Sequence, residues 1–140
     1  MLKPTPADAP QSRYAVIGWP VEHSVSPQMQ QAGFQALGIP ASYEKIPVEP
    51  EHLGAAVEAL RTQGFAGWNV TVPHKEQIAD FLDQVDPGAR RAGSINTVVR
   101  RGKILEGYST DGYGLAMATH EAFGVDLDGR TVAFLGCGGA

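Results

Sequence analysis

The sequence is poor in cysteine, has no long hydrophobic run and carries no excess of positive charge. Its single cysteine, Cys137, excludes an internal disulfide bond and is typical of a reducing cytoplasm, where we expect the protein. No apolar run approaches the roughly 20 residues that span a bilayer, which predicts no membrane partner. Residues 1–12 hold three prolines and lack the apolar core of a signal peptide, so we expect a disordered tail there.

The charge pattern argues against nucleic acid as a partner. The formal net charge is −4, and the densest basic spots are the pairs Arg90–Arg91 and Arg100–Arg101. A solvated surface explains these pairs better than a nucleic-acid site, because neither a basic stripe nor interleaved aromatic side chains accompany them. We also predict no metal site, since His23 has no partner at metal-ligand spacing.

What the sequence does contain is an alternation of short apolar runs with amphipathic patterns, and hydrophobic residues make up 43% of the chain. The apolar runs predict strands, and several are followed by a proline that marks a helix start, as in Ser26–Pro27 with serine as the N-cap. We expect strands at residues 14–18, 41–48, 66–71, 95–100, 104–108 and 131–135, and helices at about 26–38, 50–63, 73–85 and 110–122. This order predicts an α/β fold with a mostly parallel sheet flanked by helices.

Ligands of open α/β sheets bind beyond the carboxyl ends of the strands, so polar residues that follow strands are the candidates for a site. Ser24 and Ser26 lie between the first strand and the first helix. Two hydroxyls beside the free N–H groups of a helix N-terminus can hold a small anion such as a carboxylate. Taken alone, an N-cap serine and a loop serine are the commoner explanation.

Lys75 and Asp111 each follow a predicted strand and could meet above the sheet. Lys75 is expected in the first turn of a helix, where the macrodipole disfavours a cation. This placement suits a lysine that transfers a proton, and an ordinary surface lysine explains it equally well. Asp111 in a first helical turn is favourable by itself, so a capping role is the alternative to an ion pair with Lys75.

Two further segments have functional and ordinary explanations. The side-chain amide of Asn96 can both donate and accept, which suits a polyol, although a turn-closing asparagine is commoner. The glycine-rich run 136–140 follows an apolar strand, as in the first turn of a dinucleotide-binding unit, and it is weak evidence by itself.

Taken together, five segments resemble the shikimate dehydrogenase family in order and spacing. They are GWPVEHSVSP at 18–27, NVTVPHK at 69–75, GSINT at 93–97, STDG at 109–112 and GCGGA at 136–140. The resemblance implies reduction of 3-dehydroshikimate to shikimate with NADPH, in aromatic amino-acid biosynthesis, with NAD as the alternative cofactor.

The resemblance also implies a role for individual residues. Lys75 and Asp111 would form the catalytic pair, and Ser24 and Ser26 would bind the substrate carboxylate. The ring hydroxyls or the carboxylate would be contacted by Thr71 and Asn96. The cofactor would be bound by Gly136, Gly138, Gly139 and Ala140.

The resemblance further implies a division of the chain. Residues 13–110 would form the substrate-binding, catalytic α/β domain, 111–127 a connecting helix and linker, and 128–140 the start of a truncated NAD(P)-binding domain. The family's remaining nucleotide domain is absent, so we expect the 140-residue chain to be inactive alone. We also expect the apolar strand 131–135 to lie exposed and to promote self-association.

Departures from the family pattern weaken the case for strict shikimate specificity, and two alternatives stand beside the main expectation. Gln30–Gln31 stands where a His-Asn pair is usual, Ser109 replaces an asparagine and Ser94 replaces an alanine. A quinate/shikimate dehydrogenase that uses NAD is one alternative. The other is a module that binds shikimate-like acids without turnover, although a sensor would not need Lys75 and Asp111.

Overall fold

The computed structural model describes residues 11–133, which form a mixed α/β domain. Its strands are β1 (Ser12–Gly18), β2 (Ala41–Pro47), β3 (Gly67–Val70), β4 (Gln84–Val85), β5 (Thr97–Arg101) and β6 (Ile104–Tyr108). The α-helices of this part of the chain are α1 (Ser26–Ala36), α2 (Leu53–Thr62), α3 (Pro87–Ala92) and α4 (Asp111–Phe123). Short 3-10 helices cover Pro50–His52 and Gln77–Phe81.

The six strands form one sheet in the order β2-β1-β3-β5-β6-β4. Strand β1 pairs parallel with β2 and β3, whereas β5 runs antiparallel to both of its neighbours, β3 and β6. Strand β4 pairs parallel with β6, so β5 alone among these six strands runs against the others. The predicted fold, a mostly parallel sheet flanked by helices, is confirmed.

Helices α1 and α2 cover opposite faces of β1. Ala15 and Ile17 belong to the main core with Leu53 and Val57 of α2, while Val16 packs on the other side in a smaller cluster with residues of α1 and β2. Because side chains alternate along a strand, a continuous apolar run such as this one must be covered on both faces. The run therefore explains why β1 lies inside the sheet with a helix on each side.

The helix predicted over residues 73–85 is wrong. That segment contains turns, the 3-10 helix Gln77–Phe81 and the two-residue strand β4, and a new helix begins after Asp86. The Asp86 carboxylate accepts hydrogen bonds from the backbone N–H groups of Gly88 and Ala89 at 2.7 and 3.2 Å, and Pro87 is the first residue of α3. An aspartate followed by proline is a helix-start signal, and here it outweighs the apolar periodicity that suggested a longer helix.

Two smaller expectations also change. Ser26 is the first residue of α1 and its side chain makes no capping hydrogen bond, so the serine N-cap is wrong by one residue. Thr131–Ala133, the described part of the predicted strand 131–135, forms no strand. The rest of that strand, the glycine-rich run and residues 1–10 of the predicted tail lie outside the described residues.

Between residues 11 and 133, no helix combines the length and the apolar character that a membrane span requires.

Candidate functional site

The candidate residues gather at one edge of the sheet. Strands β1, β3 and β6 run in the same direction and end at this edge, and the antiparallel strand β5 starts there. The loops after β1 and β3, the residues before β5 and the start of α4 after β6 are therefore brought together by the topology. These four segments carry every substrate-binding and catalytic residue predicted from the sequence.

Lys75 and Asp111 form an ion pair at this edge. The ammonium Nζ of Lys75 donates to the carboxylate Oδ2 of Asp111 at 2.8 Å, and the two side chains are 20% and 48% exposed. A pair this open to solvent contributes only about 0–1 kcal/mol to stability. Its contribution to folding therefore does not explain the arrangement, and an approaching ligand can reach both groups.

Asn96 lies directly before β5 and binds the same carboxylate. Its Nδ2 donates to Asp111 Oδ1 and to Thr110 Oγ1, both at 2.8 Å, and its Oδ1 accepts from the backbone N–H of Thr110 at 3.1 Å. The two oxygens of Asp111 are thus held by different partners, Lys75 on one and Asn96 on the other. Asp111 is therefore held in position from both oxygens.

The turn that carries Lys75 is anchored from below by His74. The His74 side chain is fully buried, and its Nε2 lies 2.7 Å from the backbone oxygen of Val48, to which it can donate. The backbone oxygen of Lys75 in turn accepts from the N–H of Ile95 at 2.8 Å. These contacts hold the turn that contains Lys75. Because Lys75 lies in a turn and not in the first turn of a helix, the argument from the helix macrodipole is wrong.

The loop after β1 is joined to the loop after β3 around Thr71. A Cβ on Gly18 would lie 2.4 Å from Thr71 Cγ2, so only glycine permits this approach. The backbone N–H of Trp19 donates to the oxygen of Val72 at 3.0 Å. Thr71 thus stands beside the start of the loop that leads to Ser24 and Ser26.

Ser24 and Ser26 bond to each other. Ser24 Oγ donates to Ser26 Oγ at 3.1 Å and accepts from the backbone N–H of Ser26 at 3.2 Å. The two hydroxyls and this N–H lie at the N-terminus of α1. No hydrogen bond among residues 11–133 joins the serine pair to Lys75 or Asp111, so the site has two separate polar centres.

Sequence reasoning missed four residues of this network. Thr110 binds Asn96, and Thr97, Asn69 and Tyr43 continue the hydrogen bonding away from Asp111 along the sheet. The alternation of β3 could have indicated Asn69, because its side chain points to the face opposite Trp68 and Val70 of the main core.

Among residues 11–133, one group of side chains could hold a metal ion, and it does not include Lys75, Asn96 or Asp111. Its donor atoms lie within 4.8 Å of one another and belong to Glu49, Glu51 and His52. Exposed acidic groups often lie this close without an ion. The four residues expected to bind a dinucleotide, Gly136, Gly138, Gly139 and Ala140, lie outside the described residues.

Comparison with known proteins shows the family to which the chain belongs. Residues 16–98 match the family model of the shikimate dehydrogenase substrate binding domain. A shikimate dehydrogenase (NADP(+)) of Geobacillus kaustophilus is 48% identical over 126 residues, which are 90% of this chain and 46% of the relative. The chain thus spans about half the length of this relative.

Solved structures give the same result. The shikimate 5-dehydrogenase of Listeria monocytogenes in complex with shikimate and NAD has a TM-score of 0.80 at 36% identity, covering 86% of this chain and 41% of that one. The Thermus thermophilus enzyme in complex with NADP(H) and shikimate has a TM-score of 0.76 at 38% identity, covering 84% and 44%. The chain belongs to the shikimate dehydrogenase family, through its substrate binding domain.

Proposed function

We propose that this chain is the substrate half of an NADP-dependent shikimate dehydrogenase, which reduces 3-dehydroshikimate to shikimate in aromatic amino-acid biosynthesis. The observation that carries the proposal is the three-way contact of Lys75 and Asn96 with the two carboxylate oxygens of Asp111. The shikimate named in the Listeria and Thermus complexes supplies the substrate class.

The chemistry follows from the charges at the sheet edge. NADPH supplies the hydride when it is bound, and the ketone oxygen of the substrate then gains negative charge. In the proposed complex the Lys75 ammonium would lie next to that oxygen, where it would stabilise the charge and deliver a proton. Asp111 accepts a hydrogen bond from Lys75 and would accept another from a substrate hydroxyl, which aligns the two groups with the reacting carbon.

The substrate carboxylate would bind at the other polar centre. The hydroxyls of Ser24 and Ser26 offer donors there, and the positive end of the α1 helix dipole favours an anion. Thr71, which lies beside Gly18 at the start of the serine-bearing loop, would contact the ring hydroxyls or the carboxylate. A single substrate with a carboxylate at one end and a ketone at the other would therefore span both centres.

NADP is the cofactor that the Geobacillus kaustophilus name suggests, and NAD remains the alternative. A glycine-rich turn lets a pyrophosphate approach the backbone closely, which suits Gly136, Gly138 and Gly139 to this role. The location in the cytoplasm and self-association through residues 131–135 remain predictions.

The assay that tests the proposal joins this chain to the remaining half of the Geobacillus kaustophilus relative. We expect the chimera to oxidise NADPH only when 3-dehydroshikimate is present, and to form shikimate. A folded chimera that binds shikimate and NADPH but turns neither over would favour the non-catalytic binding module instead. If the chimera oxidised quinate with NAD faster than it oxidised shikimate with NADP, the quinate/shikimate alternative would be favoured.

A separate prediction concerns the carboxylate site. Replacing Ser24 and Ser26 together by alanine should weaken shikimate binding to the 140-residue chain by about 1–3 kcal/mol, the range for hydrogen bonds to a charged group. Isothermal titration calorimetry measures the change. Ser42→Ala, in β2, is the matched control, and it should leave the affinity unaltered. An unchanged affinity in the double variant would put the carboxylate elsewhere.

A further inference from the structure

A continuous line of hydrogen-bonded side chains runs across the sheet and ends at the Lys75–Asp111 pair. Tyr43 Oη donates to Asn69 Oδ1 at 2.6 Å, and Asn69 Nδ2 donates to Thr97 Oγ1 at 3.2 Å. Thr97 Oγ1 donates to Asn96 Oδ1 at 2.9 Å, and Asn96 Nδ2 donates to Asp111 Oδ1 at 2.8 Å. The line starts on β2, passes over β1 to β3 and continues through the first residue of β5.

The direction of this line is fixed at the Asn69 end by a group that can only accept. Asn69 Nδ2 lies 3.2 Å from the backbone oxygen of Asn96. If the amide of Asn69 were reversed, two acceptor oxygens would face each other at this point. Asn69 therefore presents its oxygen to Tyr43, and the Tyr43 hydroxyl is the donor.

The direction is fixed again at the Asn96 end. Asn96 Oδ1 faces the backbone N–H of Thr110, which can only donate, and its Nδ2 faces the Asp111 carboxylate, which can only accept. The Thr97 hydroxyl lies between the two amides and joins them, accepting from Asn69 and donating to Asn96. Both ends thus impose the same direction on the line.

Tyr43 is suited to begin such a line because it remains a donor. Its side chain is buried in the cluster between β1, β2 and α1, at 9% exposure. Burial raises the pKa of Tyr43 to about 12, so the phenol keeps its proton throughout the physiological range. The line consequently does not reverse when the solvent becomes moderately alkaline.

We propose that Tyr43, Asn69 and Thr97 are positioning residues that fix the amide of Asn96, and through it the carboxylate of Asp111, for reaction. The proposal rests on the proposed function, because it assigns these residues to the same site. Without the Thr97 hydroxyl, Asn96 Oδ1 loses one of its two donors and the amide is held less firmly. A reversed amide would present an oxygen to the Asp111 carboxylate and repel it, which would misplace the partner of Lys75.

The kinetic test uses variants of the chimera with the Geobacillus kaustophilus half. Each variant that removes a hydroxyl of the line is paired with a control variant. Tyr43→Phe and Thr97→Val each remove one hydroxyl of the line and keep the shape of the side chain. We expect kcat to fall about tenfold in each while KM for shikimate changes by about twofold or less, because the misplaced group matters most in the transition state. Thr97→Ser, which keeps the hydroxyl, should restore most of kcat.

The matched control for the phenol is Tyr14→Phe. Tyr14 is the cross-strand neighbour of Tyr43 and packs on Phe34, and its hydroxyl makes no hydrogen bond to residues 11–133. Losing this hydroxyl should leave kcat unaltered. A fall in kcat from general loosening of the sheet would affect both tyrosine variants, whereas the proposed line affects Tyr43→Phe alone.

A second readout needs no turnover. In the 140-residue chain, the side-chain amide signals of Asn96 in an NMR ¹H–¹⁵N spectrum should shift in Tyr43→Phe and Thr97→Val and stay in place in Tyr14→Phe. An inactive wild-type chimera would contradict the proposed function, and these signals would then decide the positioning role alone. Unshifted Asn96 signals, or an active chimera in which both variants keep kcat within about twofold, would overturn the inference.

Discussion

Replacing Lys75 by alanine should lower kcat for 3-dehydroshikimate reduction by about 10²–10⁴-fold in the chimera, with a much smaller effect on shikimate binding. The reason is that the alkoxide which Lys75 stabilises exists only near the transition state, whereas the bound substrate presents a neutral ketone or hydroxyl. Asp111 would remain held by Asn96, so the rest of the site should keep its shape. Steady-state kinetics and calorimetry on the same protein measure the two quantities separately.

Lys103→Ala is the control for this substitution. Lys103 is an exposed cation in the turn between β5 and β6. Its substitution by alanine removes the same charge from the chain and leaves the edge of the sheet that carries the site unchanged. Its kcat should match the unaltered protein. If Lys75→Ala weakened shikimate binding as much as it lowered kcat, Lys75 would be a binding residue only.

Phe65→Ala should lower the free energy of unfolding of the chain by about 3–5 kcal/mol, the range for deleting a buried phenylalanine. The Phe65 side chain is fully buried in the main core, and the Arg13 guanidinium lies 4.1 Å from its ring centroid. The substitution removes both sets of contacts and leaves a cavity next to β3. Since native proteins have only about 5–15 kcal/mol in total, the variant would lose a substantial part of its stability.

Urea denaturation followed by circular dichroism measures this loss. Phe123→Ala is the matched control, because Phe123 is 78% exposed at the end of α4 and should alter the unfolding free energy by no more than about 0.5 kcal/mol. Equal losses in the two variants would contradict the assignment of Phe65 to the core.

The fold was predictable where sequence runs leave one physical solution. The apolar run at 14–18 requires cover on both faces, and the strand β1 in the middle of the parallel part of the sheet provides it. Strands were also predicted at 95–100 and 104–108, and they correspond to the paired strands β5 and β6. Local pattern and tertiary structure agree in these segments, so a short window of sequence is informative.

The segment 73–85 was not predictable from periodicity alone. Its apolar residues have helical spacing, but Val85 pairs with Gly107 of β6 instead of continuing a helix. Gly107 has no Cβ, and a Cβ there would lie 2.5 Å from Leu82 Cδ1, so this close packing depends on a distant residue. Information of that kind lies outside any local window.

The members of the candidate site could be proposed residue by residue from the sequence, but the hydrogen bonds that join them could not. Lys75 and Asp111 follow strands that end at one edge of the sheet, which made their meeting an expectation. The contact of Asn96 with Asp111 depends on the antiparallel register of β5 with β6, and the reach of Tyr43 to Asn69 depends on β1 lying between β2 and β3. Register and strand order are set by the whole fold, so these partners appear only in the structure.

A crystal structure of the chain with shikimate bound tests the central claim most directly. We predict that the ligand carboxylate lies on Ser24 and Ser26, and that the hydroxyl which becomes the ketone lies within hydrogen-bond distance of Lys75 Nζ and Asp111. Shikimate bound in the reverse orientation, with its carboxylate on Lys75, or bound away from this edge of the sheet, would contradict the claim.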